Sequence, residues 1–459
     1  MSGFSLEALL DSRRGEDLDL WARTINPQFV RVLRTIGFDR TWARAEGAYL
    51  YEADGARYLD LLGGFGMYGV GRNNPRIRSA LVEALELETP GMLALGTTLL
   101  PGLLAEALVG LAGGRIGRCL FTNSGTEAVE AAIKLGRAAT GRPRVVSAEH
   151  GFHGLTLGSL SANANAEFTE RFRPLLPGFD HVPFGDLDAL EQELHTEDVA
   201  LFIVEPVQGK GINLPPEGYL AGAQELCRRY GTLFCLDEVM TGLGRTGRMF
   251  AHQHWGLEPD MVAIAKTLSG GYVPSGALLM ARGVHEATFD SMPNAMSHGS
   301  TFAPNELAMA AGLATLHEFR EQRLVEESAR LGDRLLELTR PLVDEFEVVQ
   351  DVRGLGLAWA IEFGEPAGGG RMTYRMIERA QRGLFAQLVV VPLFTKHHIL
   401  SQVAGHDMGV IRILPPLVVT AADVEEFAAA LRATIRAARR PQALTKLALT
   451  AATAGLSRR

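Results

Sequence analysis

Asp260-Met-Val-Ala-Ile-Ala-Lys-Thr-Leu-Ser-Gly-Gly-Tyr272 is an apolar run, Met261 to Ala265, that meets a lysine and is closed by a glycine pair. The pattern predicts a buried strand ending in an exposed turn, with Lys266 at the strand's carboxyl end. An amine is nucleophilic only when neutral, and its free pKa is about 10.4. A lysine enclosed at such a place is therefore suited to holding a carbonyl cofactor as a Schiff base. Taken alone, Lys266 reads as a solvated lysine at a loop start, so its neighbours in the fold must decide.

Working outward, two further apolar runs end in chemically capable residues. Thr232 to Leu236 stops at Asp237-Glu238, and Val199 to Val204 stops at Glu205-Pro206. In a parallel α/β sheet, ligands bind outside the carboxyl ends of the strands, which predicts Glu205, Asp237 and Lys266 along one rim. A carboxylate facing a Schiff-base lysine is the pairing expected around pyridoxal phosphate, where the acid keeps the pyridine nitrogen protonated. Asp237 is the residue assigned to that task.

Upstream, Arg118-Cys-Leu-Phe-Thr-Asn-Ser-Gly-Thr-Glu127 reads as a strand running into a helix. Val129, Ala132, Ile133 and Gly136 share one helical face, Glu130 and Lys134 stand one turn apart, and Gly141 follows the end. Ser124, Gly125 and Thr126 fall in the first turn, where free N–H groups and the helix dipole favour a phosphate. The same residues also read as a plain N-cap.

Several stretches resemble the class III aminotransferases: Asn123-Ser-Gly-Thr-Glu-Ala-Val-Glu-Ala-Ala-Ile-Lys134, His150-Gly-Phe-His-Gly154, Val204-Glu-Pro-Val-Gln-Gly209, Leu236-Asp-Glu-Val-Met-Thr-Gly-Leu-Gly-Arg-Thr-Gly-Arg248, Ala265-Lys266 and His298-Gly-Ser-Thr-Phe302. They run in family order over about residues 40 to 435. The resemblance implies an α/β enzyme of fold type I: a large domain with a mostly parallel sheet, a smaller α/β domain, pyridoxal 5'-phosphate as cofactor and a homodimer. It also implies that Phe152 stacks on the cofactor, that Val239 lies against it, and that Thr301 reaches the phosphate of the partner subunit. Catalysis would rest on Lys266, Asp237 and Glu205. The expected division is an N-terminal extension and small-domain segment over 1–75, the cofactor domain over 76–330, the small domain over 331–440 and a basic tail over 441–459.

Length and composition agree with an ordinary globular enzyme. With 459 residues, 47% hydrophobic and 21% charged, the chain can bury a large core. A net charge of -8 gives no reason to expect nucleic acid or a bilayer as partner. No apolar run is long enough to span a membrane and no signal core opens the chain. Cys119, Cys227 and Cys235 are widely spaced and read as reduced core residues, which fits a cytoplasmic location and no metal site.

Other segments carry positional expectations. Tyr49, Tyr51, Tyr58 and Leu59 alternate around Asp54-Gly55, a hairpin signal. The glycine-rich Leu62-Gly-Gly-Phe-Gly-Met-Tyr-Gly-Val-Gly71 that follows occupies the place where the family builds its substrate pocket, so Phe65, Met67 and Tyr68 either line that pocket or pack beneath a loop. Apolar positions from Glu306 to Phe346 predict long helices, and strand-like runs return at Glu347 to Asp351, Leu357 to Phe363, Leu388 to Pro392 and Val410 to Leu414. Arg412 lies inside the last of these, where an arginine needs a partner. Either it makes a structural salt bridge or, as the resemblance implies, it forms a fork for a substrate carboxylate.

The departures from the family pattern concern the substrate. Many relatives carry an acid after Val-Gln-Gly, which neutralises the substrate arginine when no carboxylate is bound; this chain has Lys210. Met240 stands where many have glutamine. The connection from Leu393 to Gly409, with His397, His398 and His406, is longer than usual. That connection and the Gln208-Gly-Lys-Gly211 turn are similar to aminotransferases acting on hydrophobic aldehydes in pigment pathways. The predicted activity is amino transfer from an amine donor to a carbonyl acceptor in two half-reactions. The alternative is another pyridoxal phosphate reaction on the same fold, such as decarboxylation, racemisation or aminomutation.

Overall fold

The computed structural model describes residues 4–438 apart from 92, 94, 369–373, 376, 377, 379–381 and 405–408. Its centre is a seven-stranded sheet built from β4 (Ile116–Thr122), β5 (Arg144–Ala148), β6 (Phe179–Val182), β7 (Val199–Val204), β8 (Leu233–Asp237), β9 (Met261–Ile264) and β10 (Gly276–Ala281). The spatial order is β4-β10-β9-β8-β7-β5-β6. All neighbours are parallel except β10, which runs antiparallel to both β4 and β9. Hence β4, β5, β7, β8 and β9 end at one rim. Every residue of β7 is fully buried, because helices cover both faces of a parallel sheet and leave no polar side.

The helix Gly125–Thr140 lies on one face, burying Ala128, Val129, Ala131, Ala132, Ile133, Leu135 and Gly136. A Cβ on Gly136 would come 3.4 Å from Leu201 Cβ, so glycine lets this helix settle onto β7. Gly141 ends it in the left-handed conformation, with φ 67°.

Two smaller antiparallel units flank the large sheet. β1 (Trp42–Glu46), β2 (Tyr49–Glu52) and β3 (Arg57–Asp60) form the expected hairpin region, and β13 (Ile399–Leu400) adds a parallel strand to β3. β11 (Val349–Leu355), β12 (Ala358–Phe363), β15 (Val410–Ile413) and β14 (Gln402–Ala404) make the other sheet, in that order. The expected run of long helices is present as Glu306–Glu321 and Leu324–Thr339, broken at Arg323 with φ 51°.

One expected strand is a helix. Leu388 to Pro392 lies inside the helix Leu384–His397, which buries Phe385, Ala386, Val389, Val390, Leu393 and Phe394. A helix buried around most of its circumference shows no polar face, so its sequence reads like a buried strand. In its described residues the Leu393 to Gly409 connection is accordingly the end of this helix plus β13 and β14. His398 closes the helix and stacks on Tyr58 with centroids 4.3 Å apart. His406 and the basic tail lie outside the described residues. Among the described residues no helix is long and apolar enough to cross a membrane.

Near the site, three segments meet without room for a methyl group. A Cβ on Gly332 would sit 2.2 Å from the Gly356 carbonyl oxygen, and one on Gly356 would sit 2.4 Å from the Thr246 carbonyl carbon. Gly332→Ala is therefore expected to lower stability by about 1–3 kcal/mol through overpacking. Equilibrium unfolding in denaturant checks this; an unchanged midpoint would show that the three segments can separate freely.

Candidate active site

Lys266 follows β9 and opens a single 3₁₀ turn, Lys266–Ser269, that Gly270 closes. Its own φ is 46°, an uncommon conformation for a side-chain-bearing residue. The turn is held from above by the glycine-rich segment: Thr267 Oγ1 donates to the Gly66 carbonyl at 2.8 Å. A Cβ on Gly69 would come 2.4 Å from Thr267 Cγ2, and one on Gly271 would come 2.7 Å from Tyr68 Cδ1. The glycines thus allow Leu62–Gly71 to lie directly over the lysine turn. Tyr68 packs there, with Arg72 over its ring at 4.1 Å, whereas Phe65 is exposed.

Asp237 ends β8, one strand away. Its Oδ1 accepts the Val239 N–H at 3.0 Å and its Oδ2 lies 2.8 Å from His153 Nδ1. Both groups are buried. His153 Nδ1 faces the Asp237 carboxylate, and Nε2 has no partner among the described residues. Burial disfavours the charged imidazole, but Asp237 outweighs it and leaves the ring above its usual pKa. Glu238 points the other way, as strand alternation requires; it accepts from the Ala251 and His252 N–H groups and from the His252 ring.

Glu205, at the end of β7, is also buried. It accepts the Phe152 N–H at 3.0 Å and the Gly209 N–H at 2.9 Å. Burial, reinforced by Asp237, pushes its carboxyl above the ordinary range. Phe152 reaches this cluster through its backbone, and its ring meets Phe168 edge-on at 5.1 Å.

Burial draws the Lys266 amine down to about 8, against the opposing pull of Asp237 and Glu205, while Arg412 and Arg245 add to the lowering. Arg412 on β15 donates through Nη1 to the Gly209 carbonyl. Arg245 is buried and donates to the carbonyls of Leu357 and Pro415, and burial lowers its guanidinium to about 9. Lys266, Asp237, Glu205, His153, Arg412 and Arg245 therefore form one electrostatic cluster at the rim.

The residues expected to cradle a phosphate lie at the start of the helix Gly125–Thr140. Ser124 Oγ caps the helix by accepting the Glu127 N–H at 3.3 Å. Thr126 Oγ1 lies 2.7 Å from Thr156 Oγ1 and 2.6 Å from Ser159 Oγ. With these hydroxyls engaged and the Glu127 N–H capped by Ser124, the Gly125 and Thr126 N–H groups, too early in the helix for an intrahelical partner, would be the anion donors. A Cβ on Gly125 would come 2.8 Å from Val239 Cγ1, so the cradle and the strand end carrying Asp237 are in contact. These residues fit pyridoxal phosphate: an anion site, a carboxylate for a ring nitrogen and a pKa-lowered amine share one rim. Thr301 is exposed, and its loop is tied to the cradle through Asn123 Nδ2 and Ser300 Oγ at 2.6 Å.

Sequence reading left two participants without a role. His153 stands next to Phe152 in a quoted motif, and Arg245 lies in the Thr241-Gly-Leu-Gly-Arg-Thr-Gly247 run, but neither partner, Asp237 nor the Pro415 carbonyl, is near in sequence.

The class-III aminotransferase family model matches residues 36–435. Aminotransferase PigE of Serratia sp. (strain ATCC 39006) is 34% identical over 453 residues, 92% of this chain and 53% of that protein. The chain thus spans about half the length of this curated relative. The crystal structure of the ornithine aminotransferase from Toxoplasma gondii ME49 is 28% identical and superposes with a TM-score of 0.81 over 95% of this chain and 99% of the other. An amine transaminase from an uncultivated Pseudomonas species, solved in a PLP-bound form, is 30% identical, with a TM-score of 0.74 over 88% and 96%. With its mostly parallel sheet and the lysine, acid and anion cradle along one rim, the chain belongs to the class-III aminotransferases, pyridoxal phosphate-dependent enzymes of fold type I.

Proposed function

We propose that this chain moves an amino group from an amino-acid donor to an apolar aldehyde or ketone, with Lys266 as both cofactor anchor and proton carrier. The observation that carries this reading is the Lys266 amine, lowered to about 8 by burial, on the strand next to the buried Asp237–His153 pair. Pyridoxal phosphate, when bound, supplies a carbonyl carbon and an electron-accepting ring. Asp237 would favour the protonated form of the ring nitrogen, and His153, 2.8 Å from its Oδ2, would fix the carboxylate's orientation. Lys266 Nζ would hold the cofactor's carbonyl carbon and, once released in neutral form, would serve as the base that carries a proton at that place. Phe152 and Val239 would cover the ring, Tyr68 and Phe65 would border the substrate, and Glu205 would tune the charge of the rim. Arg412 receives the carboxylate of the donor.

An apolar acceptor is supported by Lys210 at the place where many relatives carry an acid, and by the similarity to hydrophobic-aldehyde aminotransferases. Arg412→Ala is expected to raise the donor KM by about 100-fold, the worth of a charge-assisted fork of roughly 2–3 kcal/mol. The half-reaction with an apolar aldehyde should stay within a few-fold. The two halves are followed separately by the cofactor spectrum; equal losses in both, or a screen in which only dicarboxylates react, would overturn this assignment.

The reading includes a homodimer in the cytoplasm, with the domain division given above. Exposed Met292, Met296 and Phe302 flank the Thr301 loop, which supports burial of this face against a second copy. Thr301→Ala should weaken cofactor retention in the partner's site. In mixed dimers the defect is expected to follow the subunit with intact Thr301; a defect in the mutated subunit's own site would contradict the exchange.

A further inference from the structure

Arg412 is a largely enclosed guanidinium with no carboxylate in contact among the described residues. Its Nη1 donates to the Gly209 carbonyl, and its Nε is buried without a partner. Burial lowers its pKa to about 10, and Glu205 is the acid whose charge opposes that lowering.

Lys210 is turned to other partners. Its ammonium pairs with Glu167 and stands 5.1 Å from the centre of the Phe168 ring. Gly209, one residue earlier, is gripped from two sides: its N–H is held by Glu205 Oε1 at 2.9 Å, and its carbonyl by Arg412. The turn around it is rigid. Gln208 and Asn213 pair as a β-bridge, and Arg353 Nε donates to the Gly211 and Ile212 carbonyls at 3.2 and 3.1 Å. The Gly209 carbonyl therefore gives Arg412 a neutral resting partner, and Glu205 lies behind the same residue as a buried carboxyl whose anion is favoured by the Phe152 and Gly209 N–H groups it accepts.

We propose that Glu205, acting across Gly209, is the negative charge that covers Arg412 when an apolar carbonyl substrate fills the site, and so sets the balance between carboxylate-bearing and apolar substrates. This rests on the reading of Arg412 as the carboxylate fork. The physical basis is that a charge pair in a closed, weakly polar site interacts over a longer range than in water. A substrate carboxylate must compete with Glu205 for Arg412, whereas an apolar substrate leaves Arg412 on Gly209 with Glu205 as its counter-charge. The position after Gly209 is then free of that duty, which is consistent with a lysine there, drawn off to Glu167.

The test uses two chain-matched, unreactive probes, hexanoate and 1-hexanol, titrated into the holoenzyme and read by perturbation of the cofactor absorbance. In Glu205→Gln, hexanoate is expected to bind about tenfold tighter and hexanol several-fold weaker, a divergence that general damage to the site does not produce. Both changes should vanish when Glu205→Gln is combined with Arg412→Met, because the effect runs through that arginine. Glu205→Asp, which keeps the charge, should retain most of the wild-type preference and guards against misfolding of the glutamine variant. Lys210→Ala should leave the ratio unchanged. Parallel shifts of both probes in Glu205→Gln, persistence of the divergence without Arg412, or its appearance in Lys210→Ala would each overturn the proposal. Failure of the underlying reading looks different: wild type would then bind hexanoate no better than Arg412→Met does, and the proposal would fall with it.

Discussion

Lys266→Ala is expected to bind pyridoxal phosphate but to lose turnover by about 10⁴-fold or more, the upper range for removal of a positioned proton-transfer group. In the proposed site the phosphate would be held by the first turn of the helix Gly125–Thr140 and the ring nitrogen by Asp237, so retention would not depend on the lysine. What disappears is the amine that burial sets at about 8, an amine with a substantial neutral fraction near neutrality and hence able to act as a base. Absorbance of the dialysed variant reports retention, and single-turnover mixing with an amine donor reports the chemistry. Multiple turnovers at a rate near wild type would mean that another group carries the proton.

Asp237→Asn should reduce turnover by about 10²–10³-fold, comparable to loss of one preorganised electrostatic partner, with cofactor still bound. Asparagine has the shape of aspartate but cannot hold a proton on the ring nitrogen by charge. The substitution also removes the anion that keeps His153 oriented through the 2.8 Å contact, so His153 loses the influence that raises its pKa. Near-normal turnover would transfer the role to Glu205, the other buried acid at the rim. Measuring the cofactor spectrum alongside the rate separates a weaker electron sink from plain loss of cofactor.

How much of this was legible in the chain varies with the range of the forces involved. The strands that carry Glu205, Asp237 and Lys266 were readable because each is an apolar run buried on both faces, and their carboxyl-end location follows from the rules of parallel sheets. The hairpin at Asp54-Gly55 and the helix from Gly125 to Thr140 were readable for the same local reason: turn chemistry and a 3.6-residue period. The helix Leu384–His397 reads partly as strand because its residues are apolar on nearly every side, which leaves no 3.6-residue period to tell it from a buried strand.

By itself the sequence determined which residues had chemistry to offer and at which strand ends they stood, since periodicity and turn residues act within a few positions along the chain. Only the tertiary structure decided what faces them. His153 meets Asp237 across 84 positions, Arg412 reaches Gly209 across 203 and Thr267 meets Gly66 across 201. The same packing turned Lys210 to Glu167 and left Glu205 behind Gly209. Charges and hydrogen bonds act through space, and burial strengthens them, so the pKa of Lys266 and the partners of Arg412 are properties of the folded rim rather than of any stretch of the chain.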